Sequence, residues 1–466
     1  YYLYFPLEQV FLWERGNVIH VRRGRNIMLN VKEKSLKYNL HSWSAQKGLN
    51  PKVITKAKGI YFWDDEGNRY YDMSSQLVNS NLGHGNKNVI QAIKNQVDKL
   101  PFISPGFAID VRSDAAEFVV NISGMKNAKV FFTNAGAEAN ENAIKMAKQY
   151  TGRWKIFSMY RCYHGSSAGA GMLTGEPRRF ANEPGPAGFV KYDGPYPYRS
   201  PKQAIFKDEN DMADFYLELL ENQIIYENPS SIAAVFLETV VGSNGVIIPP
   251  AKWVKGVRDI CTKYGILMVC DEVMTGWYRT GEAFAFQKYE IEPDLVTFAK
   301  GITCGYVPLG GVIVSEKIQS YFDDNKMMCG LTYNAHPVGC AAAIATINEY
   351  KRLNIKENVA LQGDILEDIL QGFVKRHNCV GEFRRVGLFA AIELIKDEQR
   401  TPIVEFNNDS DGVMAKIIKM LMKEGFFTYS HENIILIAPP LIIKEDELRS
   451  AMKILDVVLD SVDSMI

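Results

Sequence analysis

The sequence predicts an α/β protein in which a large domain with a mostly parallel sheet carries a smaller α+β domain. From Asn127 to about Ser315, short apolar runs (VFFT, KIFSM, IAAVFLE, GILMVCD, LVTFA, LGGVIV) alternate with helix-like stretches such as EANENAIKMAKQY. These runs lack polar alternation, which suits strands covered on both faces by helices. Beyond about Leu353 the pattern changes to helices mixed with a few strands, the mark of an added α+β layer. No internal repeat or low-complexity tract interrupts this order.

The elements follow in sequence. The opening stretch YYLYFPLEQVFLWERGNVIHVRRGRNI places its cations after the apolar run, the reverse of a secretory signal. Met28 makes a sensible start, so residues 1–27 are expected to be an extension without a functional role. In GIYFWDDEGNRYYDM two aromatic runs flank Asp65-Glu66-Gly67-Asn68, a hairpin signal. Residues 28–85 are expected to supply an N-terminal segment of the small domain, 86–352 the large domain and 353–466 the remainder of the small one. The Pro- and Gly-rich stretch 184–201 reads as an irregular surface or site loop. The C-terminal part contains LQGDILEDILQGFVKRH, RRVGLFAAIEL, GVMAKIIKMLMKEG, NIILIAPPL and a final helix.

Composition narrows the function. A chain of 466 residues has a soft prior of roughly three domains. Its 53 Lys+Arg against 54 Asp+Glu leave a net charge of −1, without the basic excess that nucleic acid or an anionic membrane would select. With 47% hydrophobic and 23% charged residues, disorder is excluded as the main state. No apolar stretch reaches the roughly 18 residues of a membrane span. The 7 cysteines are odd in number and contain no CxxC pair, which argues against a disulfide framework or a thiolate metal site and for the cytoplasm.

Three strand ends carry the chemistry. NAGAEANENAIK follows VFFT directly, so free backbone N–H groups and a positive helix end meet near Gly136 and Ala137, a site suited to phosphate. An ordinary strand-to-helix turn is the plain alternative. Neither GxGxxG nor GxxxxGK[ST] is present. Asp271 closes GILMVCD and, if buried, needs a cationic partner. Lys300 closes PDLVTFAK. A lysine on the same sheet edge as a phosphate cradle and a buried acid suggests a Schiff base to pyridoxal phosphate (PLP): the amine forms the imine, the acid keeps the pyridine nitrogen protonated, and the helix end holds the phosphate. Tyr163 in RCYHG could stack on a flat ring or be a half-buried core residue; His164 could be a satisfied core histidine. Thr332 in GLTYNAHP is expected to head a helix, capping it or reaching phosphate.

The ordered set FFTNAGAEANENAIKMAKQYTGRWK, YHG, FLETVVGSNGVIIPP, MVCDEVMTGWYRTG, PDLVTFAKG and GLTYNAHPVGCAAA resembles the class III (subgroup II) aminotransferases, PLP enzymes of fold type I. Within that family it is similar to ω-amino acid and taurine–pyruvate aminotransferases. The resemblance implies a mostly parallel seven-stranded sheet, PLP as cofactor and no metal. It makes Lys300 the Schiff-base lysine and proton shuttle, Asp271 the pyridinium partner, and Val273 and Tyr163 the residues on the two ring faces. Gly136 and Ala137 supply phosphate N–H groups, and Thr332 reaches the phosphate of a neighbouring subunit, which implies a homodimer or tetramer. Glu238 lies on the substrate side. Two departures stand out: the family's phosphate-binding Ser is Ala135, and its Pro after the strand glutamate is Thr239.

The family's carboxylate-binding arginines are also missing. Tyr429 stands at one position and Ile435-Leu436 at the other, with His431 a weak substitute. Leu77 and Val78, in MSSQLVNSNLGHG, are expected to line the pocket. The implied reaction moves an amino group from a terminal amine or ω-amino acid (taurine, β-alanine) to pyruvate. The alternatives are a 4-aminobutyrate/2-oxoglutarate aminotransferase, a decarboxylase or aminomutase on the same fold, and a non-catalytic PLP-binding protein. The intact Lys300, Asp271 and Gly136 set argues against the last.

Overall fold

A computed structural model describes residues 29–200 and 205–466, together with the paired backbone strands Val10–Glu14 and Asn17–Val21. Apart from those strands, the expected extension 1–27 lies outside the described residues. The chain divides into two compact units, Tyr1–Lys56 with Phe62–Arg69 and Ala57–Tyr61 with Tyr70–Ile466. In the first, Asn30 and Glu33 form a reciprocal capping box on the helix Val31–Tyr38. There too the Asp64 carboxylate accepts from the backbone and side-chain amides of Asn68, which closes the turn expected at 65–68.

The second unit contains a seven-stranded sheet. Its spatial order is Lys129–Thr133, Gly310–Val314, Leu295–Phe298, Leu267–Asp271, Ile232–Leu237, Lys155–Met159 and Phe189–Tyr192. Gly310–Val314 runs antiparallel to both neighbours; the remaining pairings are parallel. Every residue of Ile232–Leu237, Leu267–Asp271, Leu295–Phe298 and Gly310–Val314 is buried, as unalternating apolar runs require. One expectation is corrected here. Within the stretch read as a loop, Phe189–Tyr192 forms an edge strand that, among the described residues, pairs only with Lys155–Met159. It has 4 residues, and Gly188 at φ +94° and Pro195 flank it, so turn residues mask the strand signal.

A four-stranded antiparallel sheet, in the order Val380–Val386, Phe389–Leu394, Ile434–Ile437 and Ser430–His431, forms the α+β layer. The helices Ile355–Arg376, Val413–Lys423 and Glu445–Asp463 accompany it, burying stripes such as Leu448, Met452, Leu455 and Leu459. Phe426–Phe427 pairs in parallel with Tyr71 and Asp72, so early and late parts of the chain meet in one layer.

Strand register decides where the site lies. Asp271 pairs with Thr297, and Leu237 pairs with Cys270. Glu238 therefore falls level with Asp271, and Lys300 three residues past its neighbour, all at carboxyl ends where open α/β sheets bind ligands. Arg279, without exposed surface, ties this edge to the rest of the unit. Its Nη1 donates to the Leu388 and Pro439 carbonyls, and its Nη2 to Ser75 Oγ and Asn81 Oδ1. Arg279→Met should cost about 3–5 kcal/mol, because four buried acceptors lose their donor at once. Equilibrium urea unfolding of both proteins measures this, and a loss below about 1 kcal/mol would contradict the bracing role.

Candidate active site

The carboxyl edge opens into a cavity of about 410 Å³, within the range of small-molecule sites. Gly136, Ala137, Tyr163, Glu238, Asp271, Val273 and Lys300 all line it. The sheet thus brings together seven residues expected from sequence to serve the cofactor or substrate.

At one end the helix Gly136–Thr151 begins, directing its first N–H groups and positive dipole end toward the cavity. Ala135 is its N-cap and makes no side-chain cap bond, as expected from the missing hydroxyl. A Cβ on Gly136 would lie 2.8 Å from a Val273 methyl carbon, so this turn and Val273 can pack together only with glycine there.

Asp271 is 3% exposed and well supplied with donors. Its Oδ2 accepts from His164 Nδ1 and Asn140 Nδ2, both at 2.7 Å, and its Oδ1 from the Val273 amide at 3.0 Å. Asn140 in turn accepts from Thr297 Oγ1 at 2.8 Å. His164 is the cationic partner that a buried acid requires. Burial disfavours charge on its ring, but Cys162 and the Asp271 carboxylate outweigh that and hold the imidazole well above its ordinary range.

Lys300 follows Leu295–Phe298 through Ala299 and has φ +50°, a left-handed backbone that a lysine adopts only when its surroundings impose it. Its side chain keeps partial exposure, yet protein surrounds it. Burial lowers its pKa to about 8, against the opposing pull of Asp271 and Glu238 and with help from Arg178. Glu238 accepts from the Tyr163 and Gly242 amides at 2.8 and 2.7 Å. Burial raises it to about 7, with His164 opposing and Asp271 adding to the rise.

The substitution at Thr239 also finds its reason. Glu272, fully buried, accepts from Thr239 Oγ1 at 2.8 Å, from Thr275, and from the Ala285 and Phe286 amides. A proline at 239 would remove that hydroxyl donor.

Other expected residues lie outside the cavity. Thr332 is exposed, in a turn ahead of the helix Pro337–Arg352, whose cap is His336; the expectation that Thr332 heads the helix is corrected accordingly. Leu77 is 70% exposed, because left-handed φ values at Ser75, Gln76 and Val78 turn this short segment. Val78 and Leu436 are buried in one apolar cluster with Met274, and Tyr429 packs against it. His431 is held neutral, its pKa lowered to about 4 by burial and by Arg178 and Arg161, which makes it a poor anion ligand. Sequence reasoning passed over Asn140, a buried polar residue among the buried alanines of its helix, and Arg178, whose guanidinium carbon lies 3.8 Å from the Tyr163 ring centroid.

The lining combines a helix N-terminus at Gly136, an aromatic side chain at Tyr163, a buried carboxyl at Asp271 and an amine at Lys300, a set that suits a flat, phosphate-bearing carbonyl compound. Residues 43–459 match the family model for class III aminotransferases, and the chain belongs to that family of PLP-dependent enzymes. It is 30% identical over 434 residues to the taurine–pyruvate aminotransferase of Bilophila wadsworthia, covering 88% of this chain and 93% of that one. To the putrescine–pyruvate aminotransferase of Pseudomonas aeruginosa it is 31% identical, covering 88% and 91%. Among solved structures, taurine:2-oxoglutarate aminotransferase from Bifidobacterium kashiwanohense, in complex with PLP and glutamate, superposes with a TM-score of 0.90 at 45% identity, covering 93% of this chain and 98% of that one. Among the described residues no helix is long and apolar enough to cross a membrane.

Thr239→Val keeps the shape of the side chain but leaves Glu272 short of a donor. It should destabilise the protein by about 1–3 kcal/mol, seen as a lowered denaturation midpoint; an unchanged midpoint would show that this hydrogen bond contributes nothing.

Proposed function

We propose that this aminotransferase moves an amino group from a terminal amine or ω-amino acid, such as taurine or β-alanine, to a 2-oxoacid. The observation that carries the reading is the meeting of Lys300, Asp271 and the helix N-terminus at Gly136 around one cavity. Lys300 anchors PLP, Asp271 takes its pyridine nitrogen, Val273 and Tyr163 hold the ring, and Gly136 and Ala137 take the phosphate. Thr332 of a second copy completes the phosphate site, so the enzyme works as a homodimer or a larger assembly. On the same reading residues 28–85 and 353–466 form the small domain around a large domain of 86–352. All 7 cysteines are free thiols, which suits a cytoplasmic enzyme.

Bound there, the cofactor ring supplies an electron sink for the pair left when the C–H bond beside the substrate amine breaks. The chain's residues do the rest. With a pKa of about 8, Lys300 is neutral in a useful fraction of molecules near pH 7, so its Nζ can take that proton and return it to another atom. His164 Nδ1 and Asn140 Nδ2 donate to Asp271 and hold its carboxyl at the cavity wall. Glu238, poised near 7, can present a neutral or an ionised carboxyl toward the substrate side.

Tyr429 and Leu436 at the family's arginine positions favour pyruvate as acceptor, since an unpaired second carboxylate would cost a few kcal/mol in a partly buried pocket. One observation favours a second reading, 2-oxoglutarate: the solved relative at 45% identity is named for it. A panel of amines and ω-amino acids with each acceptor tests both. Turnover of ω-amino acids supports the proposal, and products of decarboxylation or amino-group migration would replace it with the lyase or mutase reading.

Borohydride reduction of the holoenzyme followed by peptide mapping should place the cofactor on Lys300; another lysine would overturn the assignment. Asp271→Asn should retain the fold and lower kcat by about 10²–10⁴, since the lost charge weakens the electron sink by several kcal/mol. A kcat within about threefold of wild type would end that role.

A further inference from the structure

Lys300 stands in a turn that does not hold itself. Its φ is +50°, and Cys304, four residues on, has the same value. Neither residue is glycine, so both conformations are unfavourable unless neighbours impose them. The backbone bonds inside the turn are long: Ile302 donates to the Ala299 carbonyl and Thr303 to the Lys300 carbonyl, both at 3.3 Å. Those carbonyls belong to the two peptide groups that flank Lys300, and both distances exceed the ordinary range for an N–H donor.

The third carbonyl of the turn is held from outside. The Tyr350 hydroxyl donates to the Gly301 carbonyl at 2.6 Å, within the range of a strong O–H donor bond, and lies 3.1 Å from Cys304 Sγ. Tyr350 belongs to the helix Pro337–Arg352 and is 2% exposed, with its ring edge-on to Tyr278 at 5.6 Å between centroids. Burial pushes its phenol well above the ordinary range, so the donor proton is present near neutral pH. Gly301 is confined by a second contact. A Cβ there would lie 2.6 Å from Asn81 Nδ2 and 2.8 Å from Trp277 Cβ. Asn81 is itself fixed, because its Oδ1 accepts from Arg279 Nη2 at 2.9 Å and its Nδ2 donates to the Trp277 carbonyl at 3.1 Å.

We infer that Tyr350 is a positioning residue for Lys300: by fixing the Gly301 carbonyl against Asn81 and Trp277, its hydroxyl keeps the lysine in a left-handed backbone and its amine at the cavity. The inference rests on the reading of Lys300 as the cofactor lysine. Tyr350 does not line the cavity, so its effect on the reaction runs through the turn.

The test uses Tyr350→Phe, which keeps the ring and deletes the hydroxyl. In cofactor-free protein, competitive labelling with trace acetic anhydride should show the Lys300 pKa rising from about 8 toward the ordinary 10.5, because the amine gains water when the turn relaxes. In holoenzyme, kcat should fall about tenfold or more while KM changes less than about threefold. Methylamine added to Lys300→Ala supplies a base in place of the missing amine, and that rescued rate does not depend on the lysine turn. Combining Tyr350→Phe with Lys300→Ala should therefore leave it within about twofold. Gly301→Ala, which presses on the same peptide from the Asn81 side, should raise the Lys300 pKa likewise and decides the matter if Tyr350→Phe does not fold. An unchanged Lys300 pKa with a lowered denaturation midpoint would make Tyr350 purely structural and overturn the inference, as would equal losses of rate with and without Lys300. If Lys300→Ala matches wild-type turnover, the cofactor reading fails, and the titration of the cofactor-free protein still decides whether Tyr350 holds the turn.

Discussion

A buried carboxylate at the wall of the cavity sets the terms for this structure. Asp271 stands at the end of a fully buried strand, and an ionised acid in that position costs several kcal/mol unless donors surround it. His164, Asn140 and the Val273 amide supply them, and each belongs to a different segment. Asn140 is on the helix whose first turn forms the anion end of the cavity. His164 adjoins Tyr163, so satisfying the acid also fixes the loop bearing the aromatic wall. Val273 packs against Gly136 so closely that no Cβ fits between them. One electrostatic requirement thus positions most of the cavity.

The same desolvation tunes its neighbours in opposite senses. Burial drives the Lys300 amine toward its neutral form and the Glu238 carboxyl toward its protonated form, while each partly charges the other. The result is a cavity holding a fixed hydrogen-bonded pair, Asp271 with His164, next to two groups that change protonation near neutrality. Proton transfer needs the second kind of group and a fixed field needs the first.

Much of this was legible in the sequence because burying charge leaves a mark. An acid and a lysine closing runs of apolar residues are expensive enough to read as chemistry, and the strand–turn–helix at Gly136 has a physical signature of its own. The parts that escaped are those without a local pattern. Phe189–Tyr192 is an edge strand shortened by flanking Gly and Pro. Leu77 is turned outward by left-handed backbone at non-glycine residues, which no composition rule announces. Thr239 acquires meaning only beside Glu272, and Arg178 only beside Tyr163, 15 positions before it in the chain but 3.8 Å away in space.

The most direct measurement is the pKa of Lys300 in the cofactor-free protein, from the pH dependence of competitive labelling by trace acetic anhydride with peptide mapping. The account predicts a value of about 8, falling further in Asp271→Asn because the carboxylate that favours the ammonium is gone. A value at the ordinary 10.5, insensitive to Asp271, would contradict it, because Lys300 would then be solvated and the sheet edge would not be the desolvated, charge-coupled site described.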